Sequence, residues 1–122
     1  MTKAEKKERL SAYTHLGQSV EVRLEELERL RKLQKRLPQE ESFGRSIDAL
    51  RRQMSEELEA CVQERARIED IIAGTPEGAE RTLLEYRYLR GCTWEQIAEK
   101  LDYSTMHIHR LHNHVLDELP PF

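Results

Sequence analysis

One stretch constrains this chain more than any other: Thr93 to Leu116, TWEQIAEKLDYSTMHIHRLHNHVL. Two helical patterns lie in it, with Asp102-Tyr103-Ser104 between them. Thr93 followed by Gln96 is the pattern of a capping box, in which the hydroxyl accepts the Gln96 N–H and the glutamine side chain reaches back. Ile97, Ala98 and Leu101 then share one face of a short helix. Ser104 is a good N-cap for a second helix, whose buried stripe is predicted at Ile108, Leu111 and Val115, with His112 beside them. A small residue at Ala98 lets two backbones approach closely, which a sharp crossing between short helices requires.

This is the pattern of a helix-turn-helix. Ile97, Ala98, Leu101, Tyr103, Ile108 and Leu111 stand in order where the two helices meet each other and a supporting helix. Asp102 stands where many such motifs put glycine in a left-handed turn, and aspartate tolerates that conformation better than most residues. The alternative is an ordinary helical hairpin with no nucleic-acid role; the length of the pattern and the agreement of its turn chemistry favour the helix-turn-helix.

At 122 residues the chain is one domain, or one small domain with an appendage. Charged residues make up 35% and aromatics 6%, so the core is built from Leu and Ile and long, surface-rich helices are expected. No strand-like alternation occurs, which predicts an all-α protein. No apolar run approaches membrane-spanning length and no signal peptide opens the sequence, so a cytoplasmic protein with no membrane partner is expected. Cys61 and Cys92 provide neither a disulfide frame nor a metal knuckle.

The rest of the chain reads as two long helices and a supporting one. From about Thr2 to Leu37, Leu10, Tyr13, Val20, Leu24, Leu27 and Leu30 recur at three, four and seven, with Gly17 as a weak point. Pro38 ends that helix, and Gln39 to Gly44 is a polar loop. From about Arg45 to Ala73 the stripe is Ile47, Leu50, Met54, Leu58, Cys61, Ile68 and Ile72. Two such helices joined by a short loop most economically form an antiparallel hairpin, a two-stranded coiled coil. Their apolar surplus predicts a further partner, either the C-terminal helices or a second copy of the chain. Gly74 to Gly78 breaks the chain, and a third helix from about Glu77 to Arg90 supports the motif until Gly91. The expected organisation is therefore a hairpin over 1–73, for interaction or oligomerisation, and a helix-turn-helix unit over 77–122.

Charge is unevenly divided. Residues 1–37 carry +4, residues 38–79 carry −5 and residues 80–122 carry −2, within a total of −3. The helix-turn-helix part is not basic, which argues against strong DNA binding by that part alone. His107, His109, His112 and His114 raise a metal reading, since His109 and His112 could share an ion on one helix face. No neighbouring Cys, Asp or Glu completes such a site, so polar DNA-facing or half-buried histidines are the expectation, with no metal and no cofactor. No nucleophile with an orienting carboxylate, no phosphate loop and no acid pair points to an enzyme.

The run Leu83 to Leu119, LLEYRYLRGCTWEQIAEKLDYSTMHIHRLHNHVLDEL, resembles region 4 of bacterial sigma factors. It shares an arginine-tyrosine pair, a glycine, Thr-aromatic-Glu-x-Ile-Ala, a serine-capped second helix and a closing hydrophobic pair. The whole chain is similar to small phage and prophage proteins with such a C-terminus, including the RinA- and ArpU-type regulators of late phage genes. The resemblance implies contact with double-stranded DNA from Ser104, Thr105, Met106, His109, Arg110 and Asn113. Arg110 would grip guanine or a phosphate, and Ser104 and Thr105 would hold the backbone at a helix N-terminus. It departs from the pattern in charge, with Met106, His107, His109 and His114 where relatives often carry Arg or Lys. The function implied is a sequence-specific, phage-derived transcriptional regulator, with RNA polymerase as a further partner and a homo-oligomer formed through the hairpin. Two rivals follow from the same resemblance: a polymerase-docking adaptor that reads no bases, and a DNA-recognition subunit of phage packaging.

Overall fold

Long amphipathic runs closed by a proline and a glycine leave little choice but helices, and the computed structural model, which describes residues 1–122, is helical with no strand. Helix α1 spans Lys3–Arg36 and α2 spans Ser42–Ala73. The C-terminal part contains α3 (Ala79–Leu84), a π-helical turn over Glu85–Leu89, α4 (Trp94–Leu101) and α5 (Thr105–Glu118). The all-α architecture, long N-terminal helices followed by a helix-turn-helix, is the one expected. No helix is long and apolar enough to cross a membrane.

The chain packs as two compact units. The first, here the recognition unit, joins Met1–Thr14 to Glu64–Phe122; the second, the hairpin unit, is His15–Gln63. In the hairpin unit the buried side chains are Val20 and Leu27 from α1 with Ile47, Met54 and Cys61 from α2. Their seven-residue spacing is that of a narrow two-helix seam. Two positions of the expected stripe lie outside it: Leu24 is 45% exposed and Leu58 48%. The neighbouring residues Arg23 and Glu57 take the seam instead, with Arg23 Nε 3.5 Å from Glu57 Oε1 and Ser19 Oγ donating to Glu57 Oε2 at 3.3 Å. An ion pair at a seam position favours one register over its neighbours, because a shifted helix would leave each charge half-buried without its partner. Gly17 does not interrupt α1, which runs unbroken through it.

The recognition unit has the larger core. Leu10, Ile68, Ile72, Leu83, Leu84, Tyr88, Ile97, Ile108, Val115 and Leu116 form one buried cluster with Ala98 and Leu119. Leu10 and Ile68 come from the long helices, so the three C-terminal helices do not enclose this core alone. Two glycines with positive φ mark the breaks: Gly78 at 144° precedes α3, and Gly91 at 69° ends the π-helical turn, conformations costly for any side chain with a Cβ.

Candidate nucleic-acid interface

Helices α4 and α5 are set by their caps. Gln96 N donates to Thr93 Oγ1 at 3.1 Å and Thr93 N donates to Gln96 Oε1 at 2.9 Å, the reciprocal pair of a capping box. Asp102 takes φ 57° and ψ 45°, the left-handed turn, and Tyr103 N donates to Ala98 O at 2.9 Å to close α4. Ser104 Oγ then accepts from His107 N at 3.1 Å and starts α5. Ile97, Ala98 and Ile108 are buried where the helices cross, and Leu101 and Leu111 are half-buried there. Tyr103, expected among them, is instead 38% exposed, with its ring 4.3 Å from that of His107. The phenol ring gains a tilted aromatic partner at the surface.

The six residues singled out in the sequence lie together on α5 and its cap. Ser104, Thr105, Met106, His109, Arg110 and Asn113 are all exposed, Met106 at 69%. Met106, Arg110 and Asn113 follow at spacings of four and three, and Thr105, His109 and Asn113 at four, so they line adjoining rows of one helix face. None of the six side chains is held in an ion pair.

The opposite face of α5 is fixed by contacts that sequence reading missed. His112 is buried, and its Nε2 lies 2.6 Å from Tyr88 Oη. Burial pulls the imidazole down to about 4, with Lys7, Arg87 and His109 adding repulsion. The same burial pushes the phenol up to about 12, against a smaller opposite pull from Arg87. At neutral pH both groups are therefore uncharged and share one buried hydrogen bond, whose direction follows the imidazole tautomer. Trp94 packs tilted beside the imidazole, its ring centre 4.6 Å from that of His112 and 5.0 Å from that of His109. Arg87 lies 4.2 Å over Trp94 and donates to Cys92 O at 3.0 Å. These side chains converge because the helix widens over Glu85–Leu89, where Arg90 N donates to Glu85 O at 3.1 Å. The wider turn rephases the residues after Leu84, and local propensity carries no signal for it. The aromatic at Trp94 was visible in the sequence, but its service as a platform for two histidines was not.

The end of α5 is held from α1. Lys6 is buried and its Nζ donates to the carbonyl oxygens of Leu116 and Leu119, both at 2.6 Å. These belong to the carbonyls a helix C-terminus leaves without partners, and a lysine there also complements the helix dipole. Lys3 adds a pair with Asp117 at 3.2 Å.

The histidines are engaged separately. His107 packs at a tilt against Tyr103 and His109 against Trp94, His112 bonds Tyr88, and His114 pairs with Glu80. The Glu80 carboxylate raises His114 above the usual imidazole range. No group of three His, Cys, Asp or Glu is placed to hold a metal ion.

Residues 77–119 match the family model for sigma-70, region 4. That match covers the supporting helix, the turn and both motif helices, so this part of the chain is a sigma region-4-like helix-turn-helix, a DNA-binding type of domain. No curated protein and no solved structure matches the chain.

Proposed function

We propose that the chain is a sequence-specific, phage-derived transcriptional regulator that reads double-stranded DNA through its sigma region-4-like helix-turn-helix. The observation that carries this reading is the face of α5. Six side chains are exposed and outside every ion pair on a helix that is held in place by the Ser104 cap, a buried Tyr-His bond, a tryptophan tilted against His109 and His112, and a lysine clamp. A reading helix needs that rigidity, since base recognition depends on placing donors and acceptors to within fractions of an ångström. Arg110 presents a two-pronged donor for guanine, His109 and Asn113 present further polar edges, and Ser104 and Thr105 lie at the N-terminus where phosphate is favoured.

The reading is tested by titrating the full chain against duplexes from its own flanking genomic DNA and against scrambled duplexes. Arg110→Ala is expected to weaken preferred binding by about 1–3 kcal/mol with the thermal midpoint unchanged, because the side chain is exposed. Equal affinity for every duplex by the wild-type chain would end the claim of sequence reading.

Two partners accompany this function. The net charge of −2 over residues 80–122 supports a domain that works beside another DNA-bound protein, and RNA polymerase is the partner a region-4-like domain would dock on. A second copy of the chain is the other, covering exposed Leu24, Leu58 and Val62 of the hairpin unit. Light scattering on the full chain checks that expectation, and a monomer at tens of micromolar would remove it.

A further inference from the structure

The cations of the hairpin unit are gathered at one place. Residues 29–52, the end of α1, the loop and the start of α2, hold eight Lys or Arg against three Asp or Glu, a net of +5 in a chain whose total is −3. Arg29, Arg31, Lys32, Lys35 and Arg36 come from α1, and Arg45, Arg51 and Arg52 from α2. All eight are exposed. None is in an ion pair, whereas six of the twelve lysines and arginines elsewhere, Lys3, Arg9, Arg23, Arg65, Arg67 and Arg81, have a carboxylate partner. Like charges crowded at one hairpin tip repel, so this arrangement works against the stability of the hairpin. Acidic residues that would relieve it occur just outside the tip, at Glu25, Glu26, Glu56 and Glu57, yet the tip itself has few.

We infer that the hairpin tip is a second nucleic-acid contact, a surface that neutralises backbone phosphates of duplex DNA without reading sequence. It rests on the proposed function in one respect, that the chain's polyanion is DNA. The helix-turn-helix part, residues 80–122, has the shape for reading but a net charge of −2, which opposes the phosphate attraction that supplies most of the affinity; the tip has a net positive charge but no built site for a base. Phosphates favour this occupant over an acidic protein. The tip offers long, flexible cations distributed around two helices and no aromatic anchor beyond half-buried Phe43, where protein interfaces concentrate their binding energy in enclosed aromatic or arginine pockets.

The test uses the full chain with Arg31→Gln, Lys32→Gln, Lys35→Gln and Arg36→Gln combined, exposed positions at which glutamine keeps a good helix former. Binding to preferred and scrambled duplexes is measured across salt concentrations, with circular dichroism confirming unchanged helicity. The variant is expected to lose affinity for both duplexes by about tenfold or more, and its log–log salt slope is expected to flatten by roughly 2 to 4, since each phosphate contact contributes about 0.9. Arg110→Ala, by contrast, is expected to act on the preferred duplex. An unchanged slope and affinity in the tip variant overturn the inference while leaving sequence reading intact. Tip-dependent binding with no duplex preferred sustains the inference and sinks the regulator. Polyglutamate bound through the tip more tightly than duplex, at equal charge concentration, assigns the tip to an acidic protein and overturns it.

Discussion

The eight most deeply enclosed side chains of the molecule, from Leu10 and Ile68 to Val115 and Leu116, all belong to the recognition unit. In the hairpin unit Val20, Leu27, Ile47, Met54 and Cys61 each keep 5–8% of their surface in water. The difference follows from geometry. Two helices share one seam, and every seam residue is flanked by solvent, whereas five helical segments can close around a common centre. The hairpin unit therefore specifies its register with charges such as Arg23–Glu57, and the recognition unit specifies its arrangement with shape and buried polar bonds.

The contrast is broken most forcefully at Ile108, which is fully buried between α4 and α5. Ile108→Asp is expected to unfold the recognition unit, because a carboxylate left there without a partner costs about 4 kcal/mol or more. Near-complete loss of near-ultraviolet signal from Trp94 reports it, and retained tertiary signal at normal helicity would refute the facing given to α5.

A sharper comparison sets Leu10→Ala against Leu27→Ala. The same three carbons are removed from the same helix, once in each unit. Leu10 is expected to cost about 2–5 kcal/mol, and Leu27 about half as much, since its solvent-flanked site collapses or rehydrates more readily. Chemical denaturation of the two variants decides it, and equal losses would mean that the hairpin seam is as well enclosed as the recognition core.

Acid provides the most selective probe, acting on one buried side chain. His112 has its folded pKa lowered from 6.5 to about 4, so the unfolded chain binds the extra proton more readily. Its contribution to stability is complete above pH 6.5 and is lost as pH falls toward 4, up to about 3 kcal/mol. His114 runs the other way: raised by Glu80, it stabilises below its ordinary pKa and ceases to do so as pH rises through the raised value, a minor effect for an exposed pair. Glutamine at 112 can still accept from Tyr88 and does not titrate, so His112→Gln is expected to flatten the fall in melting temperature between pH 7 and pH 4.5. An equal fall in both proteins would assign the acid sensitivity elsewhere.

What could be read in the sequence was what acts over three or four residues. Thr93 with Gln96, Asp102 and Ser104 each satisfy or bend a backbone within one turn, so their roles follow from residue type and spacing, as does the alternation of long helix, break and short helices. The choice of Arg23 over Leu24, and of Glu57 over Leu58, could not be read that way. Spacings of three and four are both helical, and only the register against the partner helix selects between them. The widening at Glu85–Leu89 is likewise absent from local spacing, and with it the placing of Tyr88 against His112 and of Arg87 over Trp94. Lys6 reads as one more surface lysine, because its two carbonyl partners lie 110 and 113 residues further along. The exposure of the six residues proposed as a reading face follows from the helical period, which leaves them outside the buried stripe of α5 together with His114, Asp117 and Glu118; their selection came from the family resemblance.

That lysine also bears on how the protein is made. Lys6 and Leu10 leave the ribosome well before Leu116 exists, and until then the buried end of α1 has nothing to cover it. Contacts so far apart in the chain form late and slowly, so the nascent N-terminal helix waits with apolar surface exposed, a state open to chaperones and to premature pairing with another copy. The same separation limits transplantation. Residues 77–119 moved alone into another protein would arrive without Leu10, Ile68 and Ile72, and the new host would need side chains of similar shape to replace them.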